Sequence, residues 1–357
     1  MADPATLSAG CILASLVLYA LFGGADFGGG VWDLLSRGPR ATDRRRLIAG
    51  AIGPVWETNH IWIIVAVVIL FTAFPGAFAV VCTALFVPLT IVLAGIVLRG
   101  AAFAFHAYHL HEERGAGRWG AVFSSASLVT PVFLGVVFGA ISSGRIRATG
   151  PLAFTGDVTS WLSPFPISVG FLALASFAFL AAVYLLLETE DPGLREEFRR
   201  DSFRSAAALV FLSGLTMALA AVDAVEFFRA LTGRFWSIPL VAADVVAAAG
   251  AIASLARRRY PLARACAAAQ VSLLLIGWGM AQYPYLVRPD VTVLSTAASP
   301  RTLRFLLGAL AAGAVLLFPA IFLLLRVFKW EAISGRPRGG GAIDPGKDGT
   351  SGPHRAP

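Results

Sequence analysis

Apolar residues run through this chain in long blocks, and short polar clusters punctuate them. Nine blocks stand out, near 6–35, 46–73, 77–109, 120–142, 164–187, 204–224, 236–256, 262–283 and 302–329. Several exceed the roughly 18 residues that mark a membrane-crossing helix, so the surplus must tilt or protrude. The connections carry helix-ending signals: SRGPRATDRRR, FPG, HEERGAGR, RIRATGPLAFTGD, EDPGLREEFRR, RRRYP and VRPD. Alternating segments of about ten residues, the mark of a membrane β-barrel, are absent. The pattern predicts an all-α integral membrane protein of about nine transmembrane helices. Residues 1–142 form a first four-helix bundle, 143–163 an external linker, and 164–283 a second four-helix bundle. Residues 284–330 supply an external loop and the ninth helix. Residues 331–357 end in GRPRGGGAIDPGKDGTSGPHRAP, rich in glycine and proline with no apolar face, which predicts a disordered cytoplasmic tail.

Composition agrees. The chain is 57% hydrophobic and 14% charged, where a soluble domain carries about 25% charge; mean hydropathy is +0.75. Net charge is +8 and Lys329 and Lys347 are the only lysines. A basic balance can signal nucleic acid. Here the arginines fall in short loops and no basic patch is interleaved with aromatics, so nucleic acid is set aside. The loop arginines orient the chain instead. With the N-terminus outside, 21 of the 29 basic residues are cytoplasmic, seven are external, and Arg99 lies inside a span. The C-terminus is then cytoplasmic. Cys11, Cys82 and Cys266 each lie alone in an apolar run and read as small hydrophobes. The first block has no basic region before it and no convincing cleavage site after it, so it is expected to be a retained span.

Three charges sit where a span should be apolar: Asp26, Glu57 and Arg99. Asp26 lies eleven residues before Arg37, Glu57 eleven after Arg46 and Arg99 eleven before Leu110, which places each roughly 16 Å from the inner boundary at a rise of about 1.5 Å per residue. Two carboxylates and one guanidinium thus share a layer about halfway across. One reading is a structural ion pair that locks the bundle. The other is a proton path, because one arginine cannot fully compensate two carboxylates and one of them is left to titrate. The two readings can coexist. Asn59 sits between Glu57 and His60, and His60 is three residues beyond Glu57 on the same helical face. A lone histidine there is read as structural, not as a metal or haem ligand. Trp56 and Trp62 flank this polar cluster. In GGADFGGG, Gly24, Gly28 and Gly29 surround Asp26 and allow another helix to approach closely. The second bundle is poorer: Asp244 is its one comparable acid, with Asp223 and Glu226 near the outer boundary. No phosphate loop, catalytic triad or metal-ligand spacing occurs, so this chain alone is expected to carry neither catalytic residue nor metal site.

The stretches ADFGGGVWDLL (25–35), GPVWETNHIWIIVAVVILFTAFPGAFA (53–79) and GWGMAQYPYLVRPDVTV (277–293) resemble subunit II of cytochrome bd-type quinol oxidases. The resemblance covers roughly residues 5–330. It implies two four-helix bundles with a peripheral ninth helix, in a complex that oxidises quinol and reduces dioxygen to water with protons drawn from the cytoplasm. It further implies a haem-bearing subunit I as partner, holding haem b and haem d (or b), and no haem ligated by this chain. Glu57 fills the place of a family acid associated with a proton route, Asp26 that of the first-span acid, and Arg99 that of a basic residue in the third span. Some members have aspartate where this chain has Glu57. Some hold a quinone in subunit II, and no residue here establishes one. A small accessory single-helix subunit is a further candidate partner, beside quinol and lipid, in a bacterial or archaeal cell membrane. Two other classes stay open on the residues alone: a secondary transporter with mid-membrane acids, for which Gly53, Pro54 and Pro88 hint at broken helices, and a purely structural membrane scaffold.

Overall fold

A computed structural model describes residues 3–52, 59–108, 113–148, 154–155 and 157–333. Glu57 and Trp56 therefore lie outside the described residues. The described helices are α1 (Pro4–Leu35), α2 (Ala41–Ile52), α3 (Ile61–Ala73), α4 (Pro75–Ala84), α5 (Phe86–Tyr108), α6 (Glu113–Ser143), α7 (Pro164–Leu185), α8 (Pro192–Asp223), α9 (Val225–Thr232), α10 (Ser237–Ala256), α11 (Tyr260–Gln282) and α12 (Pro300–Ile333). Two short antiparallel pairs complete it: β1 (Arg147–Ala148) with β2 (Phe154–Thr155), and β3 (Tyr285–Val287) with β4 (Val291–Thr292).

Helix starts follow the local chemistry. Pro4, Pro75, Pro164 and Pro192 each open a helix, where a missing N–H costs nothing and the fixed φ is already helical. Asp191 caps α8 by accepting the Leu194 N–H at 2.7 Å. Eight described helices are long and apolar enough to cross a membrane, and a ninth span results if α3 and α4 count together.

That pair departs from the expected blocks. The run 46–73 is not one helix: α2 ends at Ile52 and α3 begins at Ile61, with 53–58 outside the described residues. The run 77–109 is divided as well, and α3 and α4 meet at 118°. Pro75 provides the first break. The second falls at Leu85, three residues before Pro88, whose ring would collide with the Ala84 carbonyl in a continuous helix. Apolar periodicity carries no trace of either break, since both halves remain apolar.

Met1–Gly308 cluster as one compact unit, and a second begins at Ala309, inside α12. Within the first unit, α7 is central. It packs against α1, α6 and α8, and every residue from Ala175 to Val183 is buried, as expected of a helix apolar on all sides. The helices before and after the 143–163 linker thus share one interior through α1, α6 and α7. A smaller apolar cluster joins Phe165, Ala220, Ala224, Phe227 and Ala281.

Candidate functional site

Helix α1 carries the first element of the site because its glycines let neighbours close on it. A β-carbon at Gly28 would lie 2.0 Å from the Phe177 carbonyl oxygen, and one at Gly24 would lie 2.5 Å from the Phe177 ring. Gly29 faces Ile52 of α2 at 2.7 Å in the same sense, and Gly30 faces Ser127 Oγ of α6 at 2.2 Å. Three helices therefore meet α1 around Asp26, which is only 4% exposed. The acid lies in protein, not against lipid.

Asn59, buried just before α3, donates from Nδ2 to Asp26 Oδ2 at 2.5 Å. Arg99 of α5 is 1% exposed. Its guanidinium carbon sits 4.8 Å from the Phe27 ring centre and 5.1 Å from that of Phe123, an arrangement that stabilises a desolvated cation. Its Nε donates to Ser127 Oγ at 3.1 Å, and Ser127 in turn donates to the Phe123 carbonyl at 2.7 Å. Asp26 and Arg99 interact electrostatically. Arg99 Nη2 is buried and has no hydrogen-bond partner among the described residues.

His60 borders this layer through rings. Its centroid is 5.9 Å from Tyr19 and 5.9 Å from Phe27, and its Nδ1 is 3.5 Å from the Tyr19 hydroxyl. Trp62 is buried in the first turn of α3. Asp26, Asn59 and Arg99 thus come from three helix segments to one interior, with His60 at its side. Among the described residues no group of three or more His, Cys, Asp or Glu is placed to hold a metal. In α10, Asp244 Oδ1 is buried with no hydrogen-bond partner among the described residues.

Four contributors carried no signal in the pattern of charges: Tyr19, Gly30, Phe123 and Ser127. A serine or aromatic in an apolar run looks like packing. Arg44 was counted only as an orienting loop charge, yet it is 7% exposed. Its Nε donates to Ser36 Oγ at 3.2 Å, Nη1 to Glu197 Oε2 at 3.1 Å and Nη2 to Asp201 Oδ2 at 2.6 Å. The Phe198 ring lies 4.6 Å from its guanidinium carbon. Arg44, Ile48 and Ile52 are the buried residues of α2, and their four-residue spacing aligns them on one face. That face ties α2 to α1 and α8 and fixes the helix just ahead of residues 53–58.

A family model for cytochrome bd terminal oxidase subunit II matches residues 4–328. The chain belongs to this family. A Bacillus subtilis chain named as a cytochrome bd menaquinol oxidase subunit II is 26% identical over 341 residues, covering 91% of this chain and 95% of the relative. The cytochrome bd-I ubiquinol oxidase subunit 2 of Escherichia coli K12 is 30% identical over 179 residues, 49% of this chain and 46% of that one. The fold matches a chain of the bd oxidase from Geobacillus thermodenitrificans with a TM-score of 0.77 at 22% identity, over 91% of this chain and 98% of that chain. As a subunit II of the bd oxidase family, this is a multi-pass membrane protein that works with a subunit I in an oxidoreductase complex. Family membership favours this over the transporter and scaffold alternatives.

Proposed function

We propose that this chain is the haem-free subunit of a quinol-oxidising terminal oxidase, where it braces the haem-bearing subunit I and supplies buried acids to the proton route for oxygen reduction. The observation that carries this is the Asp26–Asn59–Arg99 layer, drawn from α1, the residues just before α3, and α5. Reduction of dioxygen to water consumes protons as well as electrons. Protons cross a membrane interior along protonatable groups that are shielded from lipid. Asp26 is such a group, and its surroundings suit a carrier. Asn59 donates a hydrogen bond to its carboxylate, and the Arg99 charge acts on it from α5. Ser127 and the two aromatic rings hold the guanidinium in place while Asp26 changes state.

Glu57 completes the route in this reading. It stands two residues before Asn59. The external N-terminus and cytoplasmic C-terminus put the proton source on the arginine-rich side. Exposed apolar side chains on α3 and α5, among them Ile64, Val67, Phe71, Leu93 and Val97, offer surface for subunit I and lipid to cover. Haem b and haem d (or b) belong to subunit I, and the membrane is the bacterial cell membrane.

Glu57→Gln and Asp26→Asn in the assembled oxidase test the route. Oxygen consumption is expected to fall about a hundredfold, within the range for loss of a positioned proton carrier, while the reduced-minus-oxidised haem spectrum is unchanged. Wild-type turnover in both variants would refute the proton role. Loss of the haem signal would make these residues structural.

A further inference from the structure

Apart from the polar layer, α1, α2, α7 and α8 enclose a groove of about 1120 Å³. This exceeds the roughly 300–1,000 Å³ of a drug-sized ligand cleft. Its two ends differ. One is apolar, lined by Val31, Leu35, Phe171, Leu174, Ala208 and Leu212. The other is a rim of charge, with Arg37, Arg40, Arg44, Arg200 and Arg204 facing Glu196, Glu197 and Asp201.

All three acids of the rim are already engaged. Asp201 accepts from Arg44 at 2.6 Å and from Arg204 at 3.1 Å. Glu197 meets Arg44 at 3.1 Å and Arg40 at 3.8 Å. Glu196 meets Arg199 at 2.8 Å, Arg258 at 3.4 Å and Arg200 at 3.7 Å. Arginine outnumbers acid, and the excess is accessible. The side chains of Arg200 and Arg204 are 68% and 74% exposed, and Arg37 is exposed with no ion pair among the described residues. Gly193 belongs to the same design. A β-carbon there would overlap the Arg40 guanidinium, so the glycine lets that arginine lie along the rim.

An apolar slot that ends in surplus positive charge matches an amphiphile with an anionic head. We propose that this groove holds an anionic phospholipid from the leaflet that borders the arginine-rich loops. Its phosphate meets Arg37, Arg200 and Arg204, and its acyl chains lie along Phe171, Leu174, Ala208 and Leu212. Basic pockets between membrane helices recognise lipid headgroups in this way. A free phosphate would leave the apolar half unused, and a neutral lipid or quinone would leave the arginines unanswered.

The test uses the purified oxidase complex, delipidated in detergent and titrated with phosphatidylglycerol or phosphatidylcholine under native mass spectrometry. Phosphatidylglycerol is expected to bind preferentially. The double variant Arg37→Gln/Arg200→Gln should weaken it about twenty-fivefold, at about fivefold per arginine, and leave phosphatidylcholine unchanged. Glu196 keeps Arg199 and Arg258 in that variant, so the rim stays folded. Ala208→Trp, at an exposed position of the slot, should weaken both lipids with the arginines intact. The haem spectrum of each complex reports assembly. Equal binding of the two lipids, displacement of phosphatidylglycerol by inorganic phosphate, a quinone retained in its place, or an arginine variant that binds like wild type would each overturn the proposal.

Discussion

Arg44 and Arg99 are both buried, yet their surroundings differ in kind. Every side-chain nitrogen of Arg44 donates to an acceptor: Nε to a serine, and Nη1 and Nη2 to separate carboxylates. Arg99 has a serine and two aromatic faces, with Asp26 in its field but not in direct contact, and one nitrogen unmet among the described residues. A desolvated guanidinium is expensive unless its hydrogen bonds are complete. The saturated arrangement around Arg44 has one stable geometry, which suits a clamp between α2 and α8. The incomplete one around Arg99 leaves room for a further acid, so charge there can redistribute. The same residue type thus serves rigidity at one end of α1 and, on the proposed function, proton chemistry in its interior.

The largest effect is expected from breaking the clamp. Arg44→Met leaves the buried Asp201 carboxylate with only the exposed Arg204 as an ion-pair partner, at a cost of up to about 3–5 kcal/mol. Thermal unfolding of the oxidase should show that loss, while turnover per intact complex stays near wild type. Adding Asp201→Leu should return much of the stability, because replacing a buried ion pair with apolar groups is often neutral. The equivalent double variant at the other arginine, Arg99→Met/Asp26→Leu, should differ in its turnover. Removal of both charges together spares stability, but oxygen reduction drops about a hundredfold, equivalent to about 2.7 kcal/mol of barrier. Recovery of turnover in that double variant would erase the distinction between the two arginines.

The membrane fold was legible because span length and apolar content are physical requirements, and eight described helices meet them. Asp26 and Arg99 were legible as charges out of place. The breaks at Phe74 and Leu85 were harder to read, since α3, α4 and α5 are all apolar and only Pro75 and Pro88 mark the turns. The depth estimate for Glu57 assumed a continuous helix through 46–73, and residues 53–58 lie outside the described part. Asn59 nonetheless reaches Asp26, because α3 packs on α1. Arg44 was hidden by its neighbours: in a run of three arginines, only the alignment of Arg44 with Ile48 and Ile52 marks the buried member. Ser127 left no trace, since a hydroxyl in an apolar helix commonly bonds its own backbone, as this one also does.

A third effect, of about 1–3 kcal/mol, should come from the glycine face that brings the helices around Asp26. Gly28→Ala puts a methyl group into the Phe177 backbone, and backbone cannot rotate away as a side-chain tip can. Both the thermal stability and the turnover of the oxidase should fall, since the same contact seats Asp26. Gly214→Ala in α8 has open space around it and should be neutral or stabilising by up to about 1 kcal/mol through helix propensity. Equal losses in the two variants would mean that helix chemistry, not close approach, governs α1.

The smallest effect is expected at Arg46, two residues beyond Arg44. Its pair with Asp43 spans 3.8 Å with side chains 77% and 59% exposed. Water screens such a pair, and its loss typically costs under about 1 kcal/mol. Arg46→Gln should therefore leave the unfolding temperature of the oxidase almost unmoved. Arg45, with its Nε 3.8 Å from Asp33 and its side chain 53% exposed, should fall between its two neighbours. A graded series from Arg44 to Arg46 would show that burial and acceptor saturation, not the shared charge of the run, set what each arginine contributes. Three equal responses would instead return the run to a single role in membrane orientation.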